Sequence, residues 1–416
     1  MIHLLLFDVD GVLVDARGYL KALQDTVAHF SRRMGLGALP PTEEEVRTFE
    51  ANGMGSEWDS GAACVAQLLL ERLRREPPLP LPPTWPEALA TLAARPLPLP
   101  HPDYTAMAEK IGRRLAAGRT GAAQAARDVL GEQARETLRP SPAVPSLREN
   151  CGAPSEWRLL RENCGALLDA LLGRTWDFYT APVTRHFQHL VIGSEAVAGT
   201  YDVAVDFESP AYLRRYDRPL LSPDIRERLH EATADNRVGI ALYTARPSLP
   251  PVEAEDPATG YSPEAEMARS LVGLERYPIV GLGKVHWLAR RTGEETGRLI
   301  KPSPVQALAA IGAARSGQEA ASLEAALALH RDGELRPPLE ELGPAMIHAF
   351  EDIPGGLTAA RGAVEALRTA GADVAWQPYG IAPADGPKAA AMAARGVPTY
   401  PSINEALQVT LTREVR

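Results

Sequence analysis

The chain has 416 residues, 45% hydrophobic and 23% charged, an ordinary globular composition that at roughly 100–200 residues per domain implies two or three domains and a sizeable core. A formal net charge of −9 excludes broad electrostatic attraction to nucleic acid or to an anionic membrane, while leaving room for the local basic pocket that a phosphate requires. No apolar run reaches the ~20 residues that span a bilayer, and Cys64, Cys151 and Cys164 are too few and too scattered for a disulfide framework or a zinc site, so a reducing, cytoplasmic setting is expected.

Ile2–Phe7 reads as a short buried strand running straight into Asp8-Val9-Asp10-Gly11. It lacks a basic leader and a cleavage site, so it is not read as a signal peptide. From 17 to 235 the pattern is mostly helical, with candidate helices at 18–34, 43–52, 57–76, 104–117, 120–137, 155–172 and 222–234. Proline-rich stretches at 77–102 and 140–145 oppose helix and favour stiff extended connections. They read as linkers, with a ligand for a proline-binding module as the alternative. Leu-Arg-Glu-Asn-Cys-Gly-Ala occurs at 147–153 and again at 160–166. So short a period in two copies is no solenoid, and tandem slippage is the simpler reading.

From about 236 the pattern alternates between strands and helices, with strands at 238–243, 277–281, 345–350, 373–376 and 397–400. Such alternation predicts right-handed crossovers and an α/β fold: a Rossmann-like parallel sheet with helices on both faces. The first strand cannot stand alone and should join this sheet. Residues 1–16 and 236–416 then form the core, and 17–235 form a large, mostly helical cap inserted after the first strand.

In an open parallel sheet, ligands bind beyond the carboxyl ends of the strands. The polar residues there are Asp8 and Asp10, Thr244, and Glu351 with Asp352; Lys301 begins a helix in Ile300-Lys-Pro-Ser-Pro304. Two carboxylates at i and i+2 beside an extended strand can face one pocket. Four acids in a small volume call for a cation, and an all-oxygen set suits Mg²⁺. The Thr244 hydroxyl, the Lys301 ammonium and backbone N–H groups would hold a phosphate. Each residue also has a plainer reading. Asp-x-Asp-Gly occurs in turns and calcium loops, although no glutamate stands at the twelfth position of an EF-hand. Thr244 could simply end a strand, Lys301 could start a solvated helix, and Glu351-Asp352 could cap the next helix. Asp15 reads as the cap of the helix near Arg17. The order of the set, each member at an element's end, carries the functional reading. Lysine occurs only at 21, 110, 284, 301 and 388, so a lysine at a special position is less readily accidental.

These residues resemble the haloacid dehalogenase-like (HAD) hydrolase superfamily. Phe7-Asp8-Val-Asp10-Gly-Val-Leu-Val-Asp15 is similar to its first motif, Tyr243-Thr244-Ala245-Arg246 to the second, Lys301-Pro-Ser-Pro304 to the third, and Phe350-Glu351-Asp352-Ile-Pro-Gly-Gly356 to the acidic fourth. The place of the insertion resembles the phosphatase branch with a helical cap between the first and second motifs. The resemblance implies a Mg²⁺-dependent phosphatase acting on a small phosphorylated metabolite through an aspartyl-phosphate. Asp8 would be the nucleophile, Asp10 the acid and base, and Thr244 and Lys301 the groups that hold and neutralise the phosphoryl. Gly11, Ala245 and Arg246 would be further phosphate-binding positions. Asp8, Asp352, the Asp10 backbone carbonyl and Glu351 would surround the metal. A phosphomutase on the same core, or a non-catalytic binding protein, are the alternatives. Asn52-Gly-Met-Gly-Ser-Glu-Trp-Asp59 is either a cap loop near substrate or a helix–helix turn. The stretch 311–344 separates the third and fourth motifs unusually widely, and 318–330 reads as an extra amphipathic helix. Neither substrate identity nor oligomeric state is legible.

Overall fold

The computed structural model describes residues 1–75, 81–118, 120–138, 154–234, 236–255 and 260–413. The chain begins with β1 (Ile2–Phe7) and β2 (Val14–Asp15). It continues through α1 (Arg17–Arg33), α2 (Glu43–Ala51), α3 (Glu57–Arg75), α4 (Trp85–Ala93), α5 (Tyr104–Ala117), α6 (Ala122–Thr137), α7 (Pro154–Leu172) and α8 (Pro182–Tyr201). Then come α9 (Tyr212–Tyr216), β3 (Arg218–Pro219), α10 (Pro223–Ala232), β4 (Val238–Tyr243), α11 (Glu264–Leu271), β5 (Ile279–Val280), α12 (Leu282–Thr292) and α13 (Thr296–Leu299). The last part holds α14 (Pro304–Ser316), α15 (Glu319–Asp332), β6 (Ala345–Glu351), α16 (Pro354–Thr369), β7 (Val374–Ile381), α17 (Pro387–Ala393), β8 (Thr399–Tyr400) and α18 (Ile403–Arg413).

The fold is α/β. A six-stranded parallel sheet runs in the order β5-β4-β1-β6-β7-β8. β1 is central because it is apolar on both faces: Leu4, Leu5, Leu6 and Phe7 are all fully buried. Leu4 and Leu6 share one core with Tyr243, Leu308 and Leu357, while Leu5 and Phe7 share the other with Leu242, Phe350 and Leu407. Burying each such side chain contributes roughly 2 kcal/mol. The chain leaves β1 toward β4 and β5, then crosses to β6 on the other side of β1. That reversal opens the sheet's crevice directly above Asp8.

The chain divides into two compact units, Met1–Arg17 with Ser194–Arg416, and Gly18–Gly193. Sequence patterning carried the insertion on to 235; the contacts end it at Gly193, where a φ of 80° and ψ of 162° interrupt α8. Residues after that point belong with the sheet for specific reasons. β3 pairs antiparallel with β2, and the Leu220 N–H donates to Leu13 O at 2.8 Å. Ile225 and Leu229 of α10 enter the same core as Leu13. Asn404 accepts from Ser222 N–H at 2.9 Å and donates to Leu220 O at 2.8 Å.

The Gly18–Gly193 unit is helical. The proline-rich stretch 77–102, expected as a linker, contains α4, whose Pro86 suits a helix's first turn and whose Trp85, Leu89 and Leu92 are buried. Residues 140–145 and the first copy of the heptapeptide lie outside the described residues. The second copy lies on α7, where Cys164 is buried and Asn163 Nδ2 donates to Leu81 O at 2.7 Å. Residues 52–59 form the turn from α2 into α3: Asn52 Nδ2 donates back to Thr48 O at 2.8 Å, and Asp59, in the first turn of α3, accepts from the Thr175 hydroxyl at 2.5 Å. Among the described residues, no helix is long and apolar enough to cross a membrane.

Candidate active site

The site is built at the ends of β1, β4 and β6. The Asp8 N–H donates to Phe350 O at 3.0 Å, which carries the β1–β6 ladder one residue past the strand and sets Asp8 beside Glu351. The chain then turns on Gly11 at φ +74°. A side chain could not stand there, since a Cβ would lie 2.3 Å from Asp352 Oδ2. Gly11 was expected among phosphate-binding groups; its N–H instead donates to Val14 O at 2.9 Å, so its contribution is close approach to Asp352.

Asp8, Glu351 and Asp352 bring carboxylate oxygens within 4.8 Å of one another, and all three are buried. Lys301, carried by the segment before α14, donates to Asp8 Oδ1 at 2.9 Å and to Glu351 Oε1 at 2.8 Å. Its ammonium also lies 4.0 Å from the centre of the Tyr243 ring, a cation–π contact that fixes its approach. Burial alone would lower the lysine's pKa, but the charges and hydrogen bonds of Asp8 and Glu351 outweigh it and hold the ammonium protonated. Burial, then the Asp8 charge, pushes Glu351 well up, with Lys301 pulling the other way. Burial and the Asp8 charge raise Asp352 as well, against Lys388, whose ammonium contacts Asp352 Oδ2. Three crowded acids, with Glu351 and Asp352 pushed toward the protonated form, are the electrostatic signature of a site that gains from a cation.

Glu351 Oε2 and the Tyr243 hydroxyl are both buried without a hydrogen-bond partner of ordinary geometry. Glu351 also faces the Tyr243 hydroxyl, and the donor set of Asp8, Glu351 and Asp352, carboxylate oxygens alone, fits a hard divalent cation such as Mg²⁺. Asp10 was expected to offer the metal its backbone carbonyl. Its carboxylate is gripped by Arg246: Nε–Oδ1 2.9 Å, Nε–Oδ2 3.1 Å and Nη2–Oδ1 2.5 Å. Arg246, expected to bind phosphate, is therefore committed to Asp10 and to Asp217, which accepts from Nη2 at 3.0 Å.

Thr244 follows β4, neighbour of β1. Its hydroxyl accepts from Arg246 N–H at 3.2 Å, which leaves the O–H proton to donate. Ala245 is exposed at the same turn. The buried Gln306 ties these pieces together, with Nε2 donating to Thr244 O at 2.8 Å and to Val280 O at 2.9 Å, and Oε1 accepting from Lys301 N–H at 3.4 Å. Gly281 and Gly283, at the start of α12, pack against Ser248, a structural use of the glycines after β5. Asp15 lies in β2, where its carboxylate accepts from Arg17 Nε at 2.7 Å. Sequence reasoning missed Lys388, Asp217 and Gln306. Of the three, only Lys388 left a signal, as one of the few lysines in an arginine-rich chain.

No protein-family model matches the sequence, and no curated protein matches it. Among solved structures, an X-ray structure of the Northeast Structural Genomics Consortium target ZR25 is similar, with a TM-score of 0.59 and 13% identity over 100% of both chains. At that identity the likeness is one of fold. A phosphatase, Tt82 from Thermococcus thioreducens, matches with a TM-score of 0.44 and 16% identity over 99% of each chain.

Proposed function

We propose that the chain is a Mg²⁺-dependent phosphohydrolase of the HAD-like type, cleaving a small phosphorylated metabolite through an aspartyl-phosphate on Asp8. One observation carries this reading: Asp8, at the sheet's switch point, is paired with the buried Lys301 within a three-acid cluster, while a separate carboxylate, Asp10, is held apart by an arginine.

An Asp8 oxygen attacks phosphorus as the bond to the leaving oxygen breaks, and Asp10 gives that oxygen its proton. Water then attacks the phosphorus of the acyl phosphate. Asp10 takes a proton from that water, and the Asp8–phosphorus bond breaks to release inorganic phosphate. Lys301 neutralises negative charge on Asp8 and the phosphoryl group, and the Thr244 hydroxyl donates to a phosphoryl oxygen. Asp8, Glu351 and Asp352 would hold Mg²⁺, whose chemistry when bound is charge neutralisation of the transferring group.

The test is phosphate release from a panel of phosphorylated metabolites, in Mg²⁺ and in EDTA. Release from one compound class in Mg²⁺ only is expected. No release from any compound by well-folded, Mg²⁺-supplied protein would turn the assignment toward a phosphomutase or a non-catalytic role.

A further inference from the structure

Arg246 holds Asp10, and its guanidinium is in turn held from a second side. That part falls to Asp217, between α9 and β3, in a segment outside all four motifs. The Arg246 and Asp217 side chains are each 1% exposed, whereas that of Asp10 is 40% exposed. A guanidinium is a rigid plane with five N–H donors. Gripped by one half-exposed carboxylate alone, the plane can pivot with it. A second contact to a buried carboxylate fixes the plane, and the fork then dictates where Asp10 aims. Asp217 is itself fixed, because Arg218 and Pro219 beside it pair with Asp15 and Val14 just past Asp10.

We propose that Asp217 is a positioning residue for the reaction: it anchors the Arg246 fork and thereby sets the orientation of the Asp10 carboxylate toward the leaving oxygen. The inference rests on the phosphohydrolase reading. A merely structural ion pair would stabilise the protein without discriminating between leaving groups. A positioning role has a sharper signature. An alkyl phosphate needs its leaving oxygen protonated, while 4-nitrophenolate departs without help, so misaiming the acid penalises the alkyl phosphate selectively.

The experiment compares wild type, Asp217→Asn and Asp217→Glu on an alkyl phosphate and on 4-nitrophenyl phosphate. Thermal melting checks that each variant is folded. For Asp217→Asn, kcat on the alkyl phosphate is expected to fall about 30-fold, part of the roughly 10²–10⁴-fold a general acid supplies, with kcat on the nitrophenyl ester falling less than about threefold and both KM values within about twofold. Asp217→Glu, which keeps the charge but shifts it by a methylene, should show the same selectivity at smaller size. In an Asp10→Asn background, Asp217→Asn should leave the ratio of the two rates unchanged, because the group it positions is gone. Equal losses on both substrates, a loss confined to KM, or full retained activity overturns this inference alone. Wild-type protein inert on both substrates overturns the phosphohydrolase reading and this inference with it.

Discussion

Gly355 and Gly356 stand side by side in the first turn of α16, yet only one has room for a side chain. A Cβ on Gly355 would meet nothing within 4 Å; one on Gly356 would lie 1.9 Å from the Glu351 carboxyl. Glycine to alanine in a helix normally gains roughly 0.5–1 kcal/mol, so Gly355→Ala should be neutral to stabilising. Gly356→Ala should instead cost about 2–3 kcal/mol through overpacking against a buried acid. Urea unfolding of the pair checks this, and equal effects would contradict the close approach. At this scale the sequence was legible where chemistry sits at an element's end. Asp8, Asp10, Thr244 and Asp352 follow strands, Glu351 ends one and Lys301 lies just before α14, and four of the six meet directly. The partners of Arg246 were not legible. Asp217 lies far from it in sequence, and side-chain pairing across such a separation leaves no periodic trace.

The extra helix between the third and fourth motifs has a definite structural use. Glu319, the first residue of α15, is buried; it accepts from Ile279 N–H at 3.0 Å and Val252 N–H at 3.3 Å, and it pairs with the buried Lys284 at 3.3 Å. Lys284 also reaches Glu266 at 3.0 Å. Glu319 of α15 therefore caps the outer edge of the two-residue β5, where the buried Ile279 N–H would otherwise lack this acceptor. Glu319→Ala should cost on the order of 3 kcal/mol, by leaving the buried Ile279 amide without its acceptor and Lys284 without one of its two carboxylates, while turnover per folded molecule is retained. A denaturation curve and an activity titration separate the two, and unchanged stability would contradict the assignment. The helix itself was readable as 318–330. α8 was not, because its histidines, threonine and β-branched residues are weak helix formers, and burial of Val183, Phe187, Val191 and Ile192 carries it instead. β7 was read as ending at 376 but runs to Ile381 through Pro378. Neighbouring N–H groups of like orientation, such as Gly380 to Pro398 O at 2.8 Å, face β8. β8 pairs only with Gly380 and Ile381, so at Pro378 no ladder hydrogen bond on that side is lost.

For the whole molecule, the pH dependence of stability should carry a histidine signature. His348 is fully buried, 3.0 Å from His3 and 3.3 Å from the Tyr379 hydroxyl. Burial, then the His3 charge, pushes its imidazole down to about 3. An unfolded histidine titrates near 6.5. Between these values the unfolded state binds the extra proton, so this stability is full above 6.5 and drains as pH falls toward 3, at up to about 1.4 kcal/mol per unit. His348→Phe should flatten that limb relative to wild type in urea titrations from pH 7 to 4, and parallel curves would contradict it. The α/β class and the joining of β1 to the later strands were legible at this scale, because strand–helix alternation and a doubly apolar first strand each have one economical solution. The end of the inserted unit was not: the pairing of β3 with β2 involves two short segments with no strand-like run.

The central claim is a covalent phosphoryl group on Asp8. The most direct measurement is to mix the protein with Mg²⁺ and a substrate found by the panel, quench, reduce with borohydride and map the product by mass spectrometry. Reduction of an acyl phosphate at Asp8 leaves homoserine at that position, absent without substrate and absent in Asp8→Asn. Phosphate released by active enzyme with Asp8 unmodified, or turnover retained in Asp8→Asn, would contradict the account.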